Sequence, residues 1–113
     1  MMREAAAYFI GEHDFTAFCS AGSQVADKVR TIYLLDVIQD GREIVLRVKG
    51  NGFLYNMVRI IAGTLIKAGT GDIRPQDIPG IIESRDRQLA GPTAPARGLT
   101  LVEIDYGNSL PAL

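Results

Sequence analysis

The run Gly50-Asn51-Gly52-Phe53-Leu54-Tyr55-Asn56-Met57-Val58-Arg59-Ile60-Ile61-Ala62-Gly63-Thr64-Leu65 decides how this chain folds. It follows an alternating segment and opens the only long helical pattern. Leu54, Met57, Val58, Ile61, Leu65 and Ala68 recur at helical spacing and make one buried stripe. Arg59 lies off that stripe, on a second face with Tyr55, Asn56, Ala62, Gly63 and Ile66. A glycine inside a helix costs about 1 kcal/mol relative to alanine, so close packing is the reason to expect at Gly63. Two readings of Arg59 follow. A cation beside small residues, just after a Gly-Asn-Gly strand end, fits an arginine at the floor of a cleft. Most helical arginines are instead solvated, with their stems over apolar neighbours, and spacing alone favours that.

Working upstream, residues 43–49 alternate, with Ile44, Leu46 and Val48 on one side and Val45, Arg47 and Lys49 on the other. Arg47 and Lys49 put positive charge on one sheet face. That suits an RNA contact surface or an ordinary solvated face, and composition does not choose between them. Asp40-Gly41 signals a hairpin, because a two-residue type I′ turn needs positive φ. Residues 29–38 are rich in β-formers. Thr31, Tyr33, Leu35 and Val37 share one face, and Ile32, Leu34, Asp36 and Ile38 the other, which predicts a central strand covered on both sides. Residues 19–28 read as loop, and residues 1–10 as a helix ended by Gly11. Glu12-His13-Asp14 holds the only histidine. One histidine between two carboxylates is too few ligands at the wrong spacing for a metal. The segment reads as a loop in which Asp14 caps a short turn while Phe15 and Phe18 pack inward.

Downstream, the long helix ends near Ala68, before Gly69-Thr70-Gly71. Residues 77–87 predict a shorter helix with Asp77 as N-cap, Pro79 in its first turn, and Ile78, Ile81 and Ile82 on its apolar side. Residues 90–98 form an extended loop, residues 99–106 a last strand, and residues 107–113 a loosely ordered tail. The order predicts an α+β fold: an antiparallel sheet, made of the hairpin plus the C-terminal strand, with helices packed on one face.

With 113 residues the expectation is a single domain, and with 47% hydrophobic and 22% charged residues an ordinary globular one. The net charge of −1 gives no global basic field for nucleic acid, though local patches can coexist with it. Cys19 is alone, so it forms no internal disulfide and reads as a small hydrophobe. No apolar run approaches the roughly 20 residues that span a bilayer, so the expected setting is the cytoplasm, without a membrane partner.

The segment from Gly52 to Arg59, then Ile61-Ala62-Gly63-Thr64-Leu65, resembles the arginine motif of the TruA-type tRNA pseudouridine synthases. Further blocks match in order: Gly11-Glu12-His13-Asp14-Phe15 with Phe18, Val29-Arg30-Thr31-Ile32, and Ala94-Pro95-Ala96-Arg97-Gly98-Leu99-Thr100-Leu101 leading into Asp105-Tyr106. The resemblance runs from about Ala6 to Tyr106. It implies one half of the pseudouridine synthase fold, acting on the anticodon stem-loop of tRNA as a homodimer, with no metal or cofactor.

That family works with one aspartate, in an Arg-Thr-Asp segment followed by glycine in the N-terminal half. Here Arg30-Thr31 is followed by Ile32, so the chain resembles the C-terminal half alone and is expected to be inactive by itself. By resemblance, Arg59 matches the arginine that pairs with the catalytic aspartate, and Leu99 the aliphatic residue that packs on the target uracil. Two other classes stand beside this one: a standalone RNA-binding module, for which no aromatic-rich strand motif is present, and a purely dimerising domain.

Overall fold

The computed structural model describes residues 2–20, 26–41, 43–95 and 99–105. The chain runs through helix α1 (Met2–Ala7), strand β1 (Gly11–Asp14), a 3-10 turn (Thr16–Phe18), strands β2 (Val29–Asp40) and β3 (Glu43–Gly50), and helix α2 (Met57–Gly69). A 3-10 turn (Pro75–Asp77), helix α3 (Ile78–Ser84), another 3-10 turn (Arg87–Leu89) and strand β4 (Leu99–Asp105) complete it. The strands form one sheet in the order β1-β2-β3-β4. This is the expected α+β class, with the last strand beside the hairpin. β4 runs parallel to β3, with Leu99 opposite Ile44, so the sheet is mixed. Parallel neighbours need a long crossover, and the segment carrying α2 and α3 supplies it.

The hairpin forms where Asp40 pairs with Glu43 and Gly41 turns with φ +61°. β3 keeps its alternation: Leu46 and Val48 are buried and Arg47 is exposed. β2 does not. Its register shifts between Ile32 and Leu34, so Ile32 shares the buried side with Leu35 and Val37 despite opposite parity. Tyr33 and Ile38 remain about two-fifths exposed (44% and 41%). The strand is therefore covered on one face, not both, because the helices all lie on the same side. Where the ladder ends, Asn51 continues it: its Oδ1 accepts the Thr31 N–H at 2.8 Å, and its own N–H donates to Thr31 O.

Residues 11–14 form a strand rather than the expected loop. Their partner is the start of β2, from Val29 opposite Asp14 to Ile32 opposite Gly11. A segment this short and polar draws its stability from an available edge and shows no pattern of its own. α1 also stops earlier than residue 10. Tyr8, Phe9 and Ile10 donate to carbonyls three residues back, tightening the last turn, and Gly11 turns into β1 with φ +107°. Asp14 does hold the next turn, accepting from the Thr16 N–H and hydroxyl. Phe15 and Phe18 are fully buried, and Phe9 meets Phe18 edge-on at 5.1 Å.

Leu54, just before α2, and Met57, Val58, Ile61, Leu65 and Ala68 within it are buried, as the spacing required, and so are Ile60, Ala62, Gly63 and Thr64. The helix expected over residues 77–87 divides. Asp77 spends its carboxylate on the backbone and guanidinium of Arg74, so it closes the preceding turn and does not cap α3. Arg85, with φ +55°, ends α3. Residues 107–113 lie outside the described residues. No helix among the described residues is long and apolar enough to cross a membrane.

The Thr16 hydroxyl bond, chiefly, holds the Asp14 carboxyl below its usual range, with help from the Thr16 N–H and the charges of Arg85 and Lys28. A depressed native value means the stabilisation is complete above the ordinary aspartate value of about 3.9 and lost as pH falls through the native one. Urea midpoints measured from about pH 5 to pH 2 should fall less steeply for Asp14→Asn than for the parent. The remaining slope belongs partly to Asp77, which Arg74 also depresses.

Candidate active site

Arg59 stands in the first turn of α2 and is half-buried. Its Nε and Nη2 both donate to the Ala94 carbonyl, at 3.0 and 2.8 Å, and the Ala94 N–H returns a bond to the Arg59 carbonyl at 3.0 Å. One oxygen taking two N–H groups of the same guanidinium fixes its plane. Nη1 has no partner among the described residues. No buried side-chain nitrogen or oxygen among the described residues lacks a partner. The ion pairs among the described residues are Lys67–Asp72, Arg74–Asp77 and Arg85–Asp14, so none engages Arg59. Arg59 is thus not freely solvated, and no ion pair engages it among the described residues; it is tethered to backbone.

The loop reaches α2 because glycines remove the obstruction. A Cβ on Gly63 would lie 1.7 Å from the Pro92 carbonyl oxygen, and one on Gly91 would lie 2.7 Å from the Thr64 backbone. The close packing expected at Gly63 is therefore backbone against backbone. Thr64 Oγ1 accepts the Gly91 N–H at 2.8 Å and donates to Ile60 O at 2.9 Å. Arg87 Nη1 donates to Gly91 O at 2.8 Å.

On the other side of Arg59 the chain enters α2 through Asn56, whose φ of +58° is left-handed. Asparagine tolerates that region better than most residues. Asn56 Nδ2 donates to Ser20 Oγ at 3.0 Å, and the Ser20 N–H donates to Tyr55 O. Phe53, Leu54, Asn56, Met57, Val58 and Arg59 line a cavity of about 130 Å³. The arrangement offers a fixed guanidinium with one nitrogen open, suited to a planar anion such as a carboxylate.

The other expected site residues lie apart. Arg47 is exposed on the open face of the sheet, opposite Asp36 and Val102, and Lys49 stands two residues on, opposite Leu34. That face is turned away from the helices, so neither residue joins Arg59. Leu99 starts β4, and its side chain lies outside the described residues. Thr64, Arg87 and the Ala94 carbonyl were not singled out in sequence as parts of the site. The available signal was the pairing of Gly63-Thr64 in a helix with Gly91-Pro92 in a loop.

Forcing a methyl between Gly63 and Pro92 requires the loop backbone to move. Gly63→Ala should therefore lower unfolding free energy by about 3 kcal/mol, the upper end for overpacking, although alanine is the better helix former. Urea denaturation measures this, and a gain in stability would contradict the contact.

The chain matches the tRNA pseudouridine synthase family model over residues 5–107. It is 53% identical over 107 residues to tRNA pseudouridine synthase A of Anoxybacillus flavithermus, covering 95% of this chain and 44% of that protein. The Bacillus pumilus tRNA pseudouridine synthase A is 56% identical over 109 residues, and that of Bacillus subtilis strain 168 is 54% identical over 107, each covered to 43% of its length against 95% of this chain. The chain thus spans less than half the length of these curated relatives, and it belongs to the tRNA pseudouridine synthase family.

Proposed function

We propose that this chain is the C-terminal half of an enzyme that isomerises uridine to pseudouridine in the anticodon arm of tRNA. The observation that carries this is Arg59, a half-buried cation locked in plane by Ala94 O, with Nη1 open and no carboxylate of its own among the described residues. The reaction breaks the bond from ribose C1′ to uracil N1 and joins C1′ to C5; C5 loses a proton and N1 gains one. Arg59 receives the catalytic aspartate of the other half. An adjacent guanidinium keeps a partly buried carboxylate ionised and fixed in orientation. Leu99 packs against the target uracil, an apolar platform of the kind a flipped-out base requires. Arg47 and Lys49 contact phosphates along the open sheet face, where Asp36 moderates their field.

A second copy of the chain completes the assembly. Tyr33, Ile38 and Val102 are each about two-fifths exposed, and β1 pairs with β2 only as far as Ile32, leaving an edge beyond it where Arg3 Nε donates to Val37 O at 3.3 Å. Exposed edges and apolar patches recruit partners. Sedimentation equilibrium of the chain should show a dimer or larger species at micromolar concentration and above. A monomer across the whole range would remove this part of the proposal.

The activity test uses tritium release from C5-labelled uridine in tRNA. The chain alone should release none above background. In a full-length protein carrying this chain, Arg59→Ala leaves a carboxylate unpaired at a cost of roughly 3–5 kcal/mol, so turnover should fall at least a hundredfold. Arg59→Lys should also be impaired, since an ammonium cannot hold Ala94 O with two N–H groups in one plane and still present a fixed donor to the carboxylate. Unchanged turnover in the alanine variant would refute the assignment of Arg59.

A further inference from the structure

We propose that Thr64 is a positioning residue for Arg59. Its hydroxyl pins residues 91–94 to α2, and that strap carries the carbonyl that sets the guanidinium plane. The inference rests on the reading of Arg59 as the receptor for a carboxylate.

Thr64 is the one polar or charged side chain wholly inside the core among the described residues. A threonine in mid-helix commonly turns its hydroxyl to the carbonyl four residues back and does nothing more. Here the donor half goes to Ile60 O in that way, and the acceptor half takes the Gly91 N–H, 27 positions along the chain. The hydroxyl hydrogen therefore has one place to point.

The strap is fixed at both ends. Gly91 N–H is held by Thr64, and Ala94 N–H by the Arg59 carbonyl. Between them the Pro92 carbonyl sits on Gly63 with no spare room. On the outer side Arg87 grips Gly91 O and reaches Thr93 Oγ1 at 3.4 Å. Both Arg59 donors converge on one atom, Ala94 O, so any displacement of the strap turns the guanidinium. Removing the Thr64 hydroxyl leaves the buried Gly91 N–H without a partner, and the strap must move to satisfy it. A guanidinium whose remaining N–H groups must meet a carboxylate at a fixed angle tolerates such a rotation badly.

The test is hydrogen exchange at the Arg59 Nε–H in the ¹⁵N-labelled chain, with backbone amides of α2 followed in the same spectra. Thr64→Val should speed Nε–H exchange roughly tenfold while Ile61 and Leu65 amides keep their rates, as expected for loss of one hydrogen bond's restraint. Thr64→Ser keeps the hydroxyl and should retain the parent rate. Arg87→Ala loosens the same strap from the half-buried outer side and should also speed the Nε–H. Thr64→Ala, which also removes the hydroxyl but adds no bulk and is the better helix former, decides the matter if the valine variant does not fold. Nε–H exchange that stays at the parent rate, or that rises only in step with the α2 amides, overturns the proposal. This readout needs neither aspartate nor tRNA. Its failure strikes Thr64 alone, whereas unchanged turnover in Arg59→Ala strikes the reading of Arg59.

Discussion

The contact on which the site depends is made by backbone, where residues 91–94 lie against α2 with no side chain between them. Gly63 and Gly91 each leave space that even a methyl would fill. Protein interiors are packed so closely that such a fit has few alternatives. The helix accepts a poor helix former at Gly63, and in return the loop comes within hydrogen-bond range of both Thr64 and Arg59. The Arg59 guanidinium then needs no partner on its own helix to be held in one orientation.

How much of this was legible in the sequence depends on the range of the interaction. The α2 stripe, the alternation of β3 and the Asp40-Gly41 hairpin are local patterns, and the structure reproduces them. β1 was not legible, because Glu12, His13 and Asp14 carry no strand signal and pair only because β2 presents an edge. The two faces of β2 were misread for a different reason. A register shift of one residue inverts the parity of everything beyond it, and no residue near Ile32 announces the shift. The parallel course of β4 depends on the crossover, which strand propensity does not encode.

The site divides in the same way. Helical spacing placed Arg59 off the core stripe and beside Gly63, which is correct. Spacing could not supply its partner, because Ala94 is 35 positions away and contributes only a carbonyl, a group every residue has. Thr64 was hidden for a related reason. In a helix of Ile, Leu and Ala a threonine reads as one more β-branched core residue, and its hydroxyl becomes meaningful only once Gly91 is placed against it. Arg47 and Lys49 show the converse. Alternation put them correctly on one face, but the cross-strand neighbour of Arg47 is Asp36, which pattern along a single strand does not reveal.

A half-buried cation with no ion pair among the described residues raises the question of what compensates it. The Ala94 carbonyl dipole does part of this, with its negative end on two of the guanidinium nitrogens. The side chain is only half-buried, so desolvation is incomplete. Such a group is stable while waiting, yet already oriented. If a carboxylate docks here as proposed, the guanidinium keeps its bonds to Ala94 while it pairs. Little reorganisation is then required at the moment of pairing, the condition under which a fixed charge acts most strongly on its neighbour. A freely rotating arginine at the same position would carry the same charge and would have to lose rotamer freedom on pairing. The strap therefore matters through the entropy already removed from Arg59 more than through any stability it adds.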